Sequence, residues 1–179
     1  KSVTPPLARR TFLFVGAILA RKRVHTLVRA LTAVPDATLR LLGSRAHEPA
    51  YVREVAALVT AHRLEGRVTF LGEVDEATLA QELASADALV MPSSLEGYGI
   101  AATEAIHAGL PVIATRGAGL AEALRPCAGA ALLLDDVADL ARAMRDAPLE
   151  AMREAALRSR SVMPTWEQTI GAFRRALSP

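Results

Sequence analysis

The chain has a single cysteine, Cys127. That excludes an intrachain disulfide and any metal site built on several thiolates. It also makes a reducing compartment the expected setting. Aromatic residues are scarce, at 4% of a chain that is 51% hydrophobic. The core must then rest on Ala, Leu and Val, as in helix-rich α/β proteins. So few aromatics argue against stacking platforms for single-stranded nucleic acid. Charge of one sign is also lacking. Lys and Arg number 21 against 19 Asp and Glu, for a net charge of +2, and the bases are interspersed. No nucleic-acid or lipid footprint stands out. No apolar run approaches the roughly 20 residues of a membrane span, and no signal-peptide pattern is visible. The expected location is the cytoplasm, with no nucleic-acid partner.

Several catalytic motifs are missing too. There is no G-x-G-x-x-G after the first strand candidate and no G-x-x-x-x-G-K-[ST], which argues against a dinucleotide dehydrogenase and a P-loop NTPase. No H-E-x-x-H or clustered His/Asp set points to a metal, so none is expected. His25, His47, His62 and His107 are scattered and read as surface or packing residues. Ser93-Ser94 lacks the G-x-S-x-G context of a nucleophile, so a turn or cap role is expected. Cys127 reads as a small packing residue. Trp166 reads as a packing anchor for the last helix.

What is present is an alternation of strands and helices. A length of 179 residues fits one domain with a sizeable core. Strand candidates are Thr11–Val15, Thr38–Leu42, Val68–Leu71, Ala88–Met91, Val112–Ala114 and Ala131–Leu134. They are short and mostly continuous in apolar character, as expected of strands covered on both faces. Apolar stripes mark helices between them: Val24, Leu27, Val28 and Leu31; Val52, Val55, Ala56 and Val59; Leu140, Ala143 and Met144. After Asp146 the strand pattern stops. Leu149–Arg160 and Trp166–Leu177 read as two terminal helices, split by Pro164, with a cap at Thr165. The expected fold is α/β: a Rossmann-like, doubly wound parallel sheet of about six strands, with helices on both faces. Residues 1–10, with Pro5-Pro6, read as a linker entering a domain of residues 11–179. A start at Lys1 leads to the expectation of a fragment from a longer protein.

Residues 93–115 are the most informative stretch. Glu96 and Glu104 stand eight apart. Between them lies Gly97-Tyr98-Gly99, then a helix-like run that ends at Gly109. Glycines just before a helix let the backbone approach a ligand, and the first N–H groups of the helix are unsatisfied donors. With a helix starting near Gly99, Glu96 stands just outside its N-terminus. Glu104 lies about one turn in, its side chain leaning back toward the same end. Carboxylates accept hydrogen bonds from hydroxyls and repel phosphates. The layout therefore suits a ligand with phosphates in the middle and hydroxylated rings at both ends.

A second loop, Gly16 to Arg23, follows the first strand and opens the first helix. Its cations Arg21-Lys22-Arg23 are out of place at a helix start, where acidic residues are favoured. A bound diphosphate, with Lys22 as a point-charge ligand, removes the conflict. A solvated charge run is the alternative. In a 3-2-1-4-5-6 strand order both loops meet at the topological switch point, where such sheets bind ligands.

The motif E-G-Y-G-x-x-x-x-E from Glu96 to Glu104, followed by AGLPVIAT, resembles the E-x7-E signature of retaining GT-B glycosyltransferases of family 4. The resemblance extends to FLFVGAILARKR, to RVTFLGEVDEATLAQELASADALVMPS, and to TRGAGLAEAL and ALLLDDVADLARAM. It implies the C-terminal, donor-binding half of a two-domain enzyme that transfers a sugar from a UDP-, GDP- or ADP-sugar with retention and without a metal. By that resemblance Glu104 holds the ribose hydroxyls and Glu96 contacts the transferred sugar. Gly16, Gly97 and the backbone around Tyr98, Gly99 and Ile100 line the diphosphate and sugar. Lys22 neutralises the leaving diphosphate, so Lys22 and Glu96 are the residues expected to serve catalysis. Gly72–Val74 borders the base. The acceptor belongs to an N-terminal half outside this chain, as does any peripheral membrane contact.

The chain departs from that pattern in three places. Ala17 stands where the family usually has arginine, Arg23 where it usually has glycine, and Gly43-Ser44-Arg45 at a usually glycine-rich turn. The loss of a bidentate arginine leaves Arg21, Arg23 or Arg45 as substitutes. It also leaves open a degenerate, non-catalytic binding module. A GT-B epimerase or phosphorylase is a further alternative.

Overall fold

The structure is a computed structural model and describes residues 10–161. Six parallel strands form one sheet in the order β3-β2-β1-β4-β5-β6. They are β1 (Arg10–Val15), β2 (Ala37–Leu42), β3 (Val68–Gly72), β4 (Ala88–Met91), β5 (Val112–Thr115) and β6 (Ala131–Leu134). Helices α1 (Val24–Thr32), α2 (Pro49–Ala61), α3 (Glu76–Ser85), α4 (Ile100–Ala108), α5 (Ala118–Leu124), α6 (Leu140–Asp146) and α7 (Leu149–Ser159) connect and follow the strands. The expected doubly wound architecture is therefore what forms.

Strand alternation divides the core. Phe12 and Phe14 of β1, Leu39 and Leu41 of β2, Val90 of β4 and Ile113 of β5 face one layer, with Leu27 and Leu31 of α1, Val55 of α2 and Met144 of α6. Leu13, Leu89, Met91, Val112 and Ala114 face the other, with Leu83 of α3, Ile106 of α4, Leu120 of α5 and Ala156 of α7. With both faces covered, β4 and β5 are buried at every residue. That burial is why they read as continuous apolar runs.

Boundaries moved slightly from the sequence reading. Strand β1 takes in Arg10, β2 takes in Ala37, and β5 runs to Thr115. Helices α3 and α5 carried no sequence expectation of their own. At α3 the start is fixed by Asp75, whose carboxylate accepts the Thr78 N–H at 2.8 Å. The first terminal helix appears as α7. Of the expected linker over residues 1–10, Arg10 belongs instead to β1. Residues 1–9, the cap at Thr165 and the helix Trp166–Leu177 lie outside the described residues.

Candidate functional site

Strands β1 and β4 are neighbours, but their onward connections lead to opposite sides of the sheet. The loops after them part and leave a crevice at the carboxyl ends of the strands. The loop after β1 is fixed first against the loop after β2. Gly16 N–H donates to Leu42 O and Ile18 N–H to Ser44 O, each at 2.9 Å. This approach requires glycine at 43, where a Cβ would lie 2.2 Å from the Gly16 carbonyl oxygen.

The same loop does not run straight into α1. Ala20–Lys22 form one 3-10 turn, Arg23 breaks it in the left-handed region at φ 51 and ψ 38, and α1 starts at Val24. The expectation that Gly16–Arg23 opens the first helix is corrected accordingly. Arg23 thus fills a left-handed position of the kind that favours glycine.

One of the three cations, Lys22, meets a carboxylate, and a second carboxylate holds the turn that carries them. Glu48 Oε2 accepts the Ala20 N–H at 2.8 Å. Lys22 Nζ donates to Glu96 Oε2 at 2.5 Å, with both side chains largely buried. At Lys22 the charge conflict read in the sequence thus has an internal answer without any ligand.

Those contacts also join the β1 loop to the β4 loop. Ser94 donates to Arg21 O from its N–H at 2.8 Å and from its Oγ at 3.0 Å. Arg21 Nη1 donates to Leu95 O at 3.3 Å. Ser93 Oγ donates to Glu96 Oε2 at 3.2 Å, and Ser93 O accepts from Thr115 Oγ1 at 2.5 Å. The serines therefore serve the turn, as expected, and Ser93 orients the carboxylate.

Gly99 is the N-cap residue of α4, at φ 73 and ψ 49. A Cβ there would lie 2.3 Å from Leu120 Cδ1. The helix that follows points its first N–H groups into the crevice mouth. Glu104 sits one turn in, as the spacing predicts.

One cavity of about 380 Å³ gathers most of the predicted residues. Gly16 and Lys22 wall one side, and Glu96, Tyr98, Gly99, Ile100 and Glu104 wall the other. Gly97 is the exposed corner of the turn and stands off that wall. A second cavity of about 410 Å³ shares Val15 and Gly16 with the first and continues along Ala17, Ser44, His47, Glu73 and Val74. His47, read as a surface or packing residue, lines this second space. Arg21, Arg23 and Arg45 are absent from both walls. Among the described residues, Lys22 is the cation that faces the combined crevice. A larger cavity of about 910 Å³, at Arg10, Asp87 and Pro148, lies at the amino ends of the strands and holds none of the predicted residues.

Behind the β1 loop, His25 opens α1 against α2. Its N–H donates to the Tyr51 hydroxyl at 3.1 Å, and its Nδ1 lies 2.8 Å from the same oxygen. Burial, with Arg29 beside it, lowers the His25 pKa from its ordinary value. Burial raises that of Tyr51. The imidazole is therefore favoured in its neutral form, which can accept the hydroxyl proton. Among the described residues, no group of three or more His, Cys, Asp and Glu is placed to hold a metal ion, and no helix is long and apolar enough to cross a membrane.

The sequence model of the family described as Glycosyl transferases group 1 matches residues 9–147. The chain belongs to this family. Glycogen synthase of Mycobacterium tuberculosis is 34% identical over 151 residues, which cover 80% of this chain and 36% of that protein. A D-inositol 3-phosphate glycosyltransferase of Jonesia denitrificans is 31% identical over 169 residues, 88% of this chain and 40% of the relative. Among solved structures, sucrose-phosphate synthase from Thermosynechococcus elongatus superposes with a TM-score of 0.81 at 31% identity, over 96% of this chain and 46% of that one. HepE of Anabaena, solved in complex with UDP, superposes with a TM-score of 0.73 at 25% identity, over 87% and 44%. The chain thus spans less than half the length of these group 1 relatives. Its six-stranded Rossmann-like sheet is that of a GT-B glycosyltransferase domain.

Proposed function

We propose that this group 1 domain binds a nucleotide-diphosphate sugar in the crevice between the β1 and β4 loops. It acts as the donor-binding half of a retaining glycosyltransferase of family 4. The observation that carries the proposal is one cavity holding Lys22, Glu96, Glu104 and the start of α4. Hydroxylated rings suit the two carboxylates, and a diphosphate suits the ammonium and the helix N–H groups between them. The Lys22 ammonium has three donors, and Glu96 engages it without using all of them. Glu96 then faces the sugar, where its carboxylate accepts hydroxyl protons, and Glu104 holds the ribose. Gly16, Tyr98, Gly99 and Ile100 border the diphosphate, with Gly97 at the turn. The second cavity, at Glu73 and Val74, takes the base.

In the transfer, the bond from the anomeric carbon to the diphosphate oxygen breaks, a bond to the acceptor oxygen forms, and the proton of that acceptor hydroxyl passes to the leaving diphosphate. Negative charge grows on the leaving diphosphate, and Lys22 lies where it stabilises that charge. No metal is required in this scheme. The acceptor binds mostly to an N-terminal half outside this chain, so residues 1–179 alone are expected to show no transfer. The proposed setting is the cytoplasm, with any membrane contact made through that other half.

Titration calorimetry with UDP, GDP, ADP and their sugars tests the reading. Saturable binding of one of them to the protein with its N-terminal half is expected. No binding at millimolar concentration in a folded sample contradicts it. A second reading is a binding module without catalysis. It is favoured by Ala17, which puts a methyl on the cavity wall where the family usually has a guanidinium. Turnover of any donor by the protein rules that reading out.

A further inference from the structure

Glu48 holds an unusual position. It stands at the N-cap of α2, yet its side chain makes no cap bond to that helix. A carboxylate there normally serves its own helix. This one reaches back to the loop after β1 and accepts the Ala20 N–H at 2.8 Å. Ala20 begins the 3-10 turn that carries Lys22, and the cap position of that turn is Leu19, whose side chain has no acceptor. Glu48 supplies the acceptor that Leu19 lacks.

The turn is stiff once Ala20 is held. Lys22 N–H donates to Leu19 O at 2.9 Å and Arg23 N–H to Ala20 O at 3.0 Å. From the β4 side, Ser94 holds Arg21 O. From the β2 side, Glu48 is the side chain that holds the turn.

We propose that Glu48 is a positioning residue for Lys22. It fixes the turn so that the ammonium projects into the cavity at Glu96. The proposal concerns the geometry of Lys22 and rests on the donor-site reading only for its consequence in nucleotide binding.

The test compares Glu48→Ala, Glu48→Gln and Glu48→Asp. The first readout needs no ligand: the rate at which acetic anhydride acylates Lys22 in the folded protein, followed by mass spectrometry of the Lys22 peptide. Lys22 and Lys1 are the two lysines of the chain, so the signal is clean. Glu48→Ala should speed Lys22 acylation about fivefold, as expected for one lost hydrogen bond. Glu48→Gln keeps an oxygen acceptor at the same reach and should leave the rate within about twofold. Glu48→Asp is one methylene shorter and should speed it, and the contrast between Asp and Gln decides the matter even where the Ala variant does not fold.

The second readout is the affinity of whichever of UDP, GDP or ADP binds. Glu48→Ala should weaken it about fivefold in the parent and leave it unchanged in a Lys22→Ala background. Unchanged Lys22 acylation in folded Asp and Ala variants overturns the proposal, and so does equal acceleration by Gln and Asp. If no nucleotide binds the parent protein, the donor-site reading fails while the acylation result still decides the role of Glu48.

Discussion

The two loops that wall the crevice each enter their helix through one left-handed residue, and they fill it differently. The β4 loop uses Gly99 at φ 73, and the β1 loop uses Arg23 at φ 51. At Gly99 the conformation favours glycine, and a Cβ would also have to displace the buried Leu120 Cδ1 methyl, 2.3 Å away. At Arg23 the backbone conformation alone is strained, at a cost of about 1–2 kcal/mol for an L-residue. The side chain there is half-buried and accommodated. The β1 loop also lacks the family's arginine, at Ala17. One turn thus carries backbone strain alone, and the other adds a buried side chain that a Cβ must displace.

If substitution had emptied the β1 loop of function, losing Lys22 would cost nothing. We expect Lys22→Ala to lower turnover by about 10²–10³-fold, as for the removal of one donor to developing charge. Steady-state kinetics of the protein with its N-terminal half, using the donor identified by titration, checks this, with circular dichroism to confirm folding. An unchanged rate breaks the comparison in favour of a non-catalytic β1 loop.

The next effect is on stability. Gly99→Ala combines left-handed strain with a clash at Leu120 and should destabilise by about 3 kcal/mol. Urea unfolding measures it, and a loss of only about 1–2 kcal/mol, the strain alone, would show that packing against Leu120 adds nothing. Arg23→Gly should do the reverse. Relief of strain outweighs the added freedom of the unfolded chain, for a gain of about 0.5 kcal/mol. A clear loss of stability would mean that the arginine side chain holds the turn.

The smallest effect concerns the base of the β1 loop. The folded-state pKa of His25 is lowered, chiefly by burial. Below an unfolded-state value of about 6.5 the unfolded chain therefore binds more protons, so stability present above that pH is lost as pH falls through the lowered folded value. Thermal melts should show the decline, and His25→Gln should flatten it. An identical pH profile in that variant removes His25 from the account.

The sequence made the strands legible because buried parallel strands are continuous apolar runs. Ala88–Met91 and Ala131–Leu134 were placed to the residue. Helix α3 was expected only from the strand–helix alternation and had no stripe of its own, since half of Glu76–Ser85 is polar and the helix buries Leu83 with Glu82. The cavity residues were legible because glycines, carboxylates and a lysine mark two loops that a doubly wound sheet must bring together. Glu48 was not, because its partner is a backbone N–H 28 residues away, and no side-chain pattern records such a bond. The 3-10 turn at Ala20–Lys22 was hidden for a related reason: Arg23 gives no sign of a left-handed residue, as glycine would.

The central claim is that both loops form one nucleotide site. Its most direct test is a calorimetric titration of UDP, GDP and ADP into the parent protein, Lys22→Ala and Glu104→Ala, with Glu96→Ala as the control on the same wall. The account predicts that one nucleotide binds the parent. Lys22→Ala and Glu104→Ala should each weaken it, and Glu104→Ala should weaken it more than Glu96→Ala does. Full retention of affinity in either Lys22→Ala or Glu104→Ala contradicts a shared site, and equal losses from the two glutamates contradict the assignment of the ribose to Glu104.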